Sequence, residues 1–186
     1  MKIICIGRNY IEHAKELNNP VPLEPVFFMK PESSIVRNNF PFFYPEFSKD
    51  IQYEAEIVLH ICKVGKYIQE RYANTYYDAI GTGIDFTARD LQKICKDKGL
   101  PWEMAKSFDG SAPISEFIPK DSFSSMDDLK IRLDLNEKTV QDGSSKDMIF
   151  SFDKVIAYIS QFLTLKIGDL IFTGTPAGVG PVKIND

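Results

Sequence analysis

The stretch Ile51-Gln-Tyr-Glu-Ala-Glu-Ile-Val-Leu-His-Ile61 decides the fold. Ile51, Tyr53, Ala55, Ile57, Leu59 and Ile61 alternate onto one face, while Gln52, Glu54, Glu56, Val58 and His60 take the other. A period of two is the signature of a strand. It predicts one strand over 51–61, with a core face and a polar face.

Upstream, Lys2 to Ile6 reads as a short buried strand closed by Gly7, and Tyr10 to Leu17 as a short helix ended by Asn18, Asn19 and Pro20. Val26 to Met29 is a strand stopped by Lys30-Pro31, and 31–50 is irregular. Downstream, Tyr67 to Tyr77 reads as a poorly patterned helix, and Ala79 to Phe86 as a strand entering a turn. Thr87-Ala-Arg-Asp90 resembles a capping box that opens a helix running to Lys98. Met104 to Phe108 reads as a strand. Leu129 to Leu135 is another strand, turning near Asn136-Glu137 into a partner. Ser151 caps a helix that buries Val155, Ile156, Ile159, Phe162 and Leu163, and Leu170 to Thr173 is a strand feeding a Gly-rich run. The strands are not regularly separated by long helices. The expected class is therefore a mixed, β-rich α+β fold, not a doubly wound parallel sheet.

The 186 residues suit one domain, 1–186, with a sizeable core. A formal net charge of -4 argues against nucleic-acid binding, which needs a basic face. Three cysteines, Cys5, Cys62 and Cys95, form no C-x-x-C pair, so a zinc ribbon and a disulfide framework are both disfavoured. Cys5 and Cys62 lie in apolar runs and are expected to be buried thiols in a reducing, cytoplasmic setting. No membrane span and no signal peptide are expected.

Glu54 and Glu56 at i, i+2 put two carboxylates on one side of a strand, roughly 7 Å apart. Alone, such a pair reads as a wet outer face. Asp85, where a glycine-bearing strand meets a helix start, makes a third oxygen donor. Three carboxylates without Cys or His suit a hard cation, Mg²⁺ or Mn²⁺, with Ca²⁺ able to stand in. Arg89 and Gln92 share a helix face beginning near Asp85 and could meet a substrate carboxylate or carbonyl. His13 and Glu16, also i, i+3, could act as a general base on water, or be two solvated residues. Lys106 could stabilise developing negative charge, or snorkel at the surface. Arg8 is a weaker cationic candidate. The run Thr173-Gly-Thr-Pro-Ala-Gly-Val-Gly180 is neither a Walker A loop nor a dinucleotide fingerprint. It offers close backbone approach and the Thr175 hydroxyl, or a plain turn.

Several stretches together resemble the fumarylacetoacetate hydrolase family, in its small stand-alone acylpyruvate hydrolase and oxaloacetate decarboxylase branch. They are Gly7-Arg-Asn-Tyr10 with His13 and Glu16, Pro25 to Pro31, Tyr53-Glu-Ala-Glu56, Gly83-Ile-Asp-Phe-Thr-Ala-Arg-Asp90, Gly99-Leu-Pro-Trp102 with Ala105-Lys-Ser-Phe108, and Gly174-Thr-Pro-Ala-Gly-Val-Gly180. The resemblance implies a β-roll or barrel like the family's C-terminal domain, with short peripheral helices, in a homodimer. It implies Glu54, Glu56 and Asp85 as ligands of the metal, and His13 and Glu16 as a water-activating dyad on an N-terminal lid within 1–20. Lys106 becomes the cation at the cleaved bond, and Arg8, Arg89, Gln92 and Thr175 become substrate contacts. Family members usually run on for another strand or two, so the end at Asp186 is expected to be a truncation. The implied reaction is metal-dependent C–C cleavage of a small 2-oxo acid through its enolate. A tautomerase or isomerase of 2-oxo or 2-hydroxydienoic acids is the alternative on the same site, and a non-catalytic binding protein is the weaker rival.

Overall fold

The computed structural model describes residues 1–16 and 20–186. In chain order its strands are β1 (Ile3–Gly7), β2 (Val26–Lys30), β3 (Ile35–Val36), β4 (Ile51–Tyr53), β5 (Ala55–Ile61), β6 (Tyr77–Ile84), β7 (Thr87–Ala88), β8 (Ala112–Pro113), β9 (Ile118–Pro119), β10 (Lys130–Leu135), β11 (Lys138–Ser144), β12 (Leu170–Phe172) and β13 (Gly180–Pro181). The helices are α1 (Ile11–Glu16), α2 (Glu70–Ala73), α3 (Arg89–Lys98), α4 (Glu103–Lys106) and α5 (Phe152–Phe162). The expected end of the first helix, Leu17 with Asn18 and Asn19, lies outside the described residues.

Six strands form the main sheet in the order β2-β1-β12-β5-β6-β9. β1 and β12 run parallel, and the other neighbours are antiparallel. β13-β4-β7 form a second, small sheet. β10 and β11 form a hairpin through Asn136 and Glu137, both at positive φ, as a tight hairpin turn requires. The architecture is the expected mixed, sheet-rich α+β class, and these small separate sheets stand in place of a closed barrel.

The stretch 51–61 departs from its reading in two ways. It is not one strand: Glu54 interrupts it, and β4 and β5 belong to different sheets. Nor is the polar face wet at Glu54, Glu56 and Val58, although Gln52 and His60 at its ends stay partly exposed. Ile57, Leu59 and Ile61 pack with Val155, Ile156 and Ile159 of α5. On the opposite side, Val58 packs with Ile3, Cys5 and Phe172. Burying an aliphatic side chain of this size contributes about 1.5–3 kcal/mol, so covering both faces of the sheet is favourable wherever apolar residues allow it. Glu54 and Glu56 are thereby drawn inside.

Other local expectations need correction. Of 67–77 only Glu70–Ala73 is helical; Tyr67 sits at φ 52° and Tyr77 already begins β6. Thr87 is in β7 and caps nothing, so α3 starts without a side-chain cap. Its carboxylate at Asp90 instead accepts from Ser48 Oγ at 2.7 Å and from the Lys49 and Leu91 amides, fixing the helix start to the preceding loop. Lys106 ends a short helix, not a strand. Ser151 does cap α5, accepting from the Lys154 amide, but Phe162 is exposed. Cys62 is only half-buried, whereas Cys95 is fully buried. No helix among the described residues is long and apolar enough to cross a membrane.

Candidate active site

The break at Glu54 creates the site. Its backbone carbonyl accepts from the Asp85 amide at 2.8 Å, tying the start of β5 to the residue that follows β6. Glu56 pairs with Gly83 across these strands. A Cβ on Gly83 would lie 2.5 Å from Phe172 Cε1, so the bare strand lets this ring pack beneath the carboxylates. Glu54, Glu56 and Asp85 are all buried and present ligand atoms within 4.8 Å of one another.

Three cations compensate them. Lys106 Nζ donates to Glu54 Oε2 at 2.9 Å, Asp85 Oδ2 at 2.7 Å and Thr87 Oγ1 at 2.5 Å. It is only 2% exposed, so it does not snorkel. Arg89 donates to Glu54 Oε1 at 2.6 Å, Gln92 Oε1 at 2.8 Å and Gln52 Oε1 at 2.9 Å. These bonds use three of its five N–H groups and leave two for a ligand. The third cation, Lys30, did not stand out in the sequence. Its Nζ lies 2.8 Å from Asp85 Oδ1 and donates to the Phe86, Lys106 and Ser111 carbonyls and to Ser111 Oγ. The ion pair is off hydrogen-bonding direction, so Asp85 Oδ1 keeps a buried oxygen without a hydrogen bond.

Charge separates the two glutamates. Burial pushes Glu54 up, but Lys106, Arg89 and His13 outweigh it and hold the carboxyl well below its usual range. Glu56 goes the other way: burial and the neighbouring Asp85 and Glu54 raise it well above that range, against one hydrogen bond from Gly174 N at 2.7 Å. Burial disfavours the Lys106 ammonium, yet Asp85 and Glu54 raise its pKa overall. Like charges buried this closely are favourable only with added positive charge between them. A donor set of three oxygen ligands, one of them held toward protonation and another with a buried oxygen that accepts no hydrogen bond, fits a hard divalent cation.

The remaining candidates line the same cavity: Arg8, His13, Gln92 and Thr175, together with Phe28, Lys96 and Trp102, which the sequence reading missed. Thr175 Oγ1 accepts from Gln141 Nε2 at 2.8 Å. His13 is buried, with Nδ1 3.2 Å from Glu16 Oε2. Glu16 in turn accepts from the Gly178 amide at 3.1 Å. A Cβ at Gly178 would fall 2.2 Å from the Val140 carbonyl, so only glycine permits this approach. Asn9, fully buried, bonds Phe150 and Thr173 and so fixes the start of the α1 segment to the Gly-rich loop. Asn9 and Lys30 lie within the matching stretches but no spacing rule assigned them a role, and Gln141 gave no signal at all, because their partners are remote in the chain.

The cavity volume is only about 30 Å³. A larger groove of about 860 Å³, beside Tyr77, Lys120 and Asp153, is open and lacks the carboxylate triad. Chemistry, not size, marks the site.

Residues 2–186 match the family described as fumarylacetoacetate (FAA) hydrolase C-terminal. The chain belongs to this family. Among family relatives, the mitochondrial oxaloacetate tautomerase FAHD1 of Bos taurus is 41% identical over 184 residues, which span 99% of this chain and 83% of the relative. The mitochondrial oxaloacetate decarboxylase of Dictyostelium discoideum is 44% identical over 183 residues, 98% and 84% of the two chains. The crystal structure of fumarylpyruvate hydrolase from Pseudomonas aeruginosa in complex with Mn²⁺ and pyruvate superposes with a TM-score of 0.94 at 35% identity, covering 98% of this chain and 81% of that one.

Proposed function

We propose that this chain is a metal-dependent enzyme of small 2-oxo acids that makes and quenches an enolate at C3, with C–C cleavage of oxaloacetate or a short acylpyruvate as the net reaction. The observation that carries this reading is the buried Glu54, Glu56 and Asp85 triad, contacted by Lys106 and covered by His13 and Glu16. The activities by which the oxaloacetate and fumarylpyruvate enzymes above are named support it. A divalent ion, Mg²⁺ or Mn²⁺, held by the triad would supply Lewis acidity to the 2-oxo oxygen.

The chain's own groups do the rest. Glu16 faces His13 Nδ1, which leaves Nε2 as the basic atom toward the cavity. For an acylpyruvate, Nε2 takes a proton from water as the oxygen attacks the distal carbonyl. The C–C bond breaks, the pyruvate enolate departs, and the proton returns to its C3. For oxaloacetate, CO₂ departs and only protonation of the enolate is needed. Lys106 places positive charge beside the developing oxyanion, and Arg89, Gln92 and Thr175 orient the acid. α1 serves as a lid that lifts to admit the substrate and closes through the Glu16–Gly178 contact.

A second reading has one observation in its favour. The relative from Bos taurus is named an oxaloacetate tautomerase. Keto–enol interconversion of oxaloacetate uses the same groups and needs no water. Following cleavage and keto–enol interconversion of the same oxaloacetate separates the readings, and the His13→Ala variant tests His13 as the base for water. It should cut acylpyruvate hydrolysis about a hundredfold or more while oxaloacetate decarboxylation falls less. Equal losses in the two reactions would contradict His13 as the base for water.

A further inference from the structure

Two of the three carboxylates, Glu54 and Glu56, line the cavity together with Lys106 and Arg89, while Asp85 and Lys30, outside that lining, form a further ion pair. Two more cations line the same walls, Arg8 and Lys96, and neither has an ion-pair partner among the described residues. The excess is local in a chain whose net charge is -4.

Both cations are held in place. Arg8 follows β1 at φ 61°, a left-handed conformation that costs a non-glycine residue about 1 kcal/mol or more. The next residue, Asn9, locks that turn with three buried hydrogen bonds. Lys96 projects from α3, two turns beyond Arg89, with its Nζ 5.7 Å from the Trp102 ring centroid. Trp102 sits against Phe28, and Phe28 lies beneath Lys106. Lys96 is exposed, so its ammonium lies on the solvent side of this aromatic contact, at the mouth. Partial desolvation beside the Trp102 ring, together with Arg8 and Arg89 nearby, lowers the Lys96 pKa. Clustered cations repel one another, and an anion bound among them relieves the repulsion.

We propose that Arg8 and Lys96 form a second anion subsite at the cavity mouth, which takes the distal carboxylate of a dicarboxylic 2-oxo acid. The subsite rests on the 2-oxo acid reading above and narrows it. Acids carrying a second carboxylate are preferred over those ending in an alkyl group, and the preference weakens with salt.

The test pairs oxaloacetate with 2-oxobutyrate, which has a methyl group in place of the distal carboxylate. Mn²⁺-loaded wild type, Lys96→Met and Lys96→Arg are compared by KM and kcat for oxaloacetate, and by calorimetric Kd for 2-oxobutyrate and for Mn²⁺. Lys96→Met should raise the oxaloacetate KM about tenfold, the scale of one lost charge contact, with a smaller change in kcat. The Kd values for 2-oxobutyrate and Mn²⁺ should stay within about twofold, and Lys96→Arg should restore KM. An unchanged KM, or equal weakening of both acids, overturns the subsite while leaving the 2-oxo acid reading intact. Wild-type protein that binds neither acid overturns both.

Discussion

Glu56 is buried between two other carboxylates, with a single backbone amide, Gly174 N–H, donating to it. Burial and the Asp85 and Glu54 charges raise its pKa. A carboxyl raised in the folded state binds its proton where the unfolded chain has lost it. Without a cation, its contribution to stability therefore falls as pH rises from the ordinary carboxylate range through the raised value. A divalent cation must displace that proton, so Mn²⁺ affinity should weaken on acidification, with proton release visible as buffer-dependent heats in calorimetry. Glu56→Gln removes the conflict. In EDTA it should melt a few degrees above wild type, since about 1 kcal/mol shifts Tm by roughly 2–4 °C at this chain length. The rise in Tm that Mn²⁺ gives wild type should vanish. A lower Tm in EDTA, or a preserved Mn²⁺ response, would show that Glu56 is not the strained ligand. At this scale the sequence revealed the carboxylates and two of their counter-ions, Lys106 and Arg89, but not the third. Lys30 meets Asp85 from 55 positions away, a pairing that no spacing rule encodes.

Elements place these residues. Gly174, at φ 99°, turns the chain after β12 so that its amide reaches Glu56; an added Cβ would stand 2.7 Å from Asn9 Cβ. Gly174→Ala should cost about 1–3 kcal/mol of stability in denaturant unfolding. It should also weaken Mn²⁺ binding, because the strain falls between Asn9 and Glu56. Ser151→Ala, which removes the α5 cap far from the triad, should cost about 1 kcal/mol and leave Mn²⁺ affinity alone. Loss of metal binding in Ser151→Ala as well would mean that the site answers to global stability. Element types were legible wherever one physical signal dominated: the alternation in 55–61, the capped apolar stripe of α5, the Asn136-Glu137 turn. They were not legible where tertiary contacts overrode the local pattern. Alternation runs unbroken through Glu54, yet the backbone changes sheet there because Asp85 captures its carbonyl. Lys106 looked like a strand residue in an apolar run, but its side chain is drawn inward by two carboxylates from the end of a four-residue helix.

Across the whole molecule, the sheet is covered on both faces, and its polar exception is the cluster where β5, the end of β6 and the Gly-rich loop converge. Apolar burial stabilises the scaffold, and the scaffold forces three carboxylates into an arrangement that favours a divalent cation. The α+β class followed from the irregular spacing of strands and helices. The division into separate small sheets did not, because strands as short as β7 and β13 carry no periodic signal. The most direct test follows oxaloacetate in one cuvette, reading loss of the enol and release of pyruvate, with Mn²⁺ and then with excess EDTA, for wild type and Glu54→Gln. The account predicts Mn²⁺-dependent turnover in wild type, a fall of about a hundredfold or more on chelation, and the same fall in a folded Glu54→Gln. Turnover that survives EDTA, or Glu54→Gln that keeps the wild-type response to Mn²⁺, would contradict it.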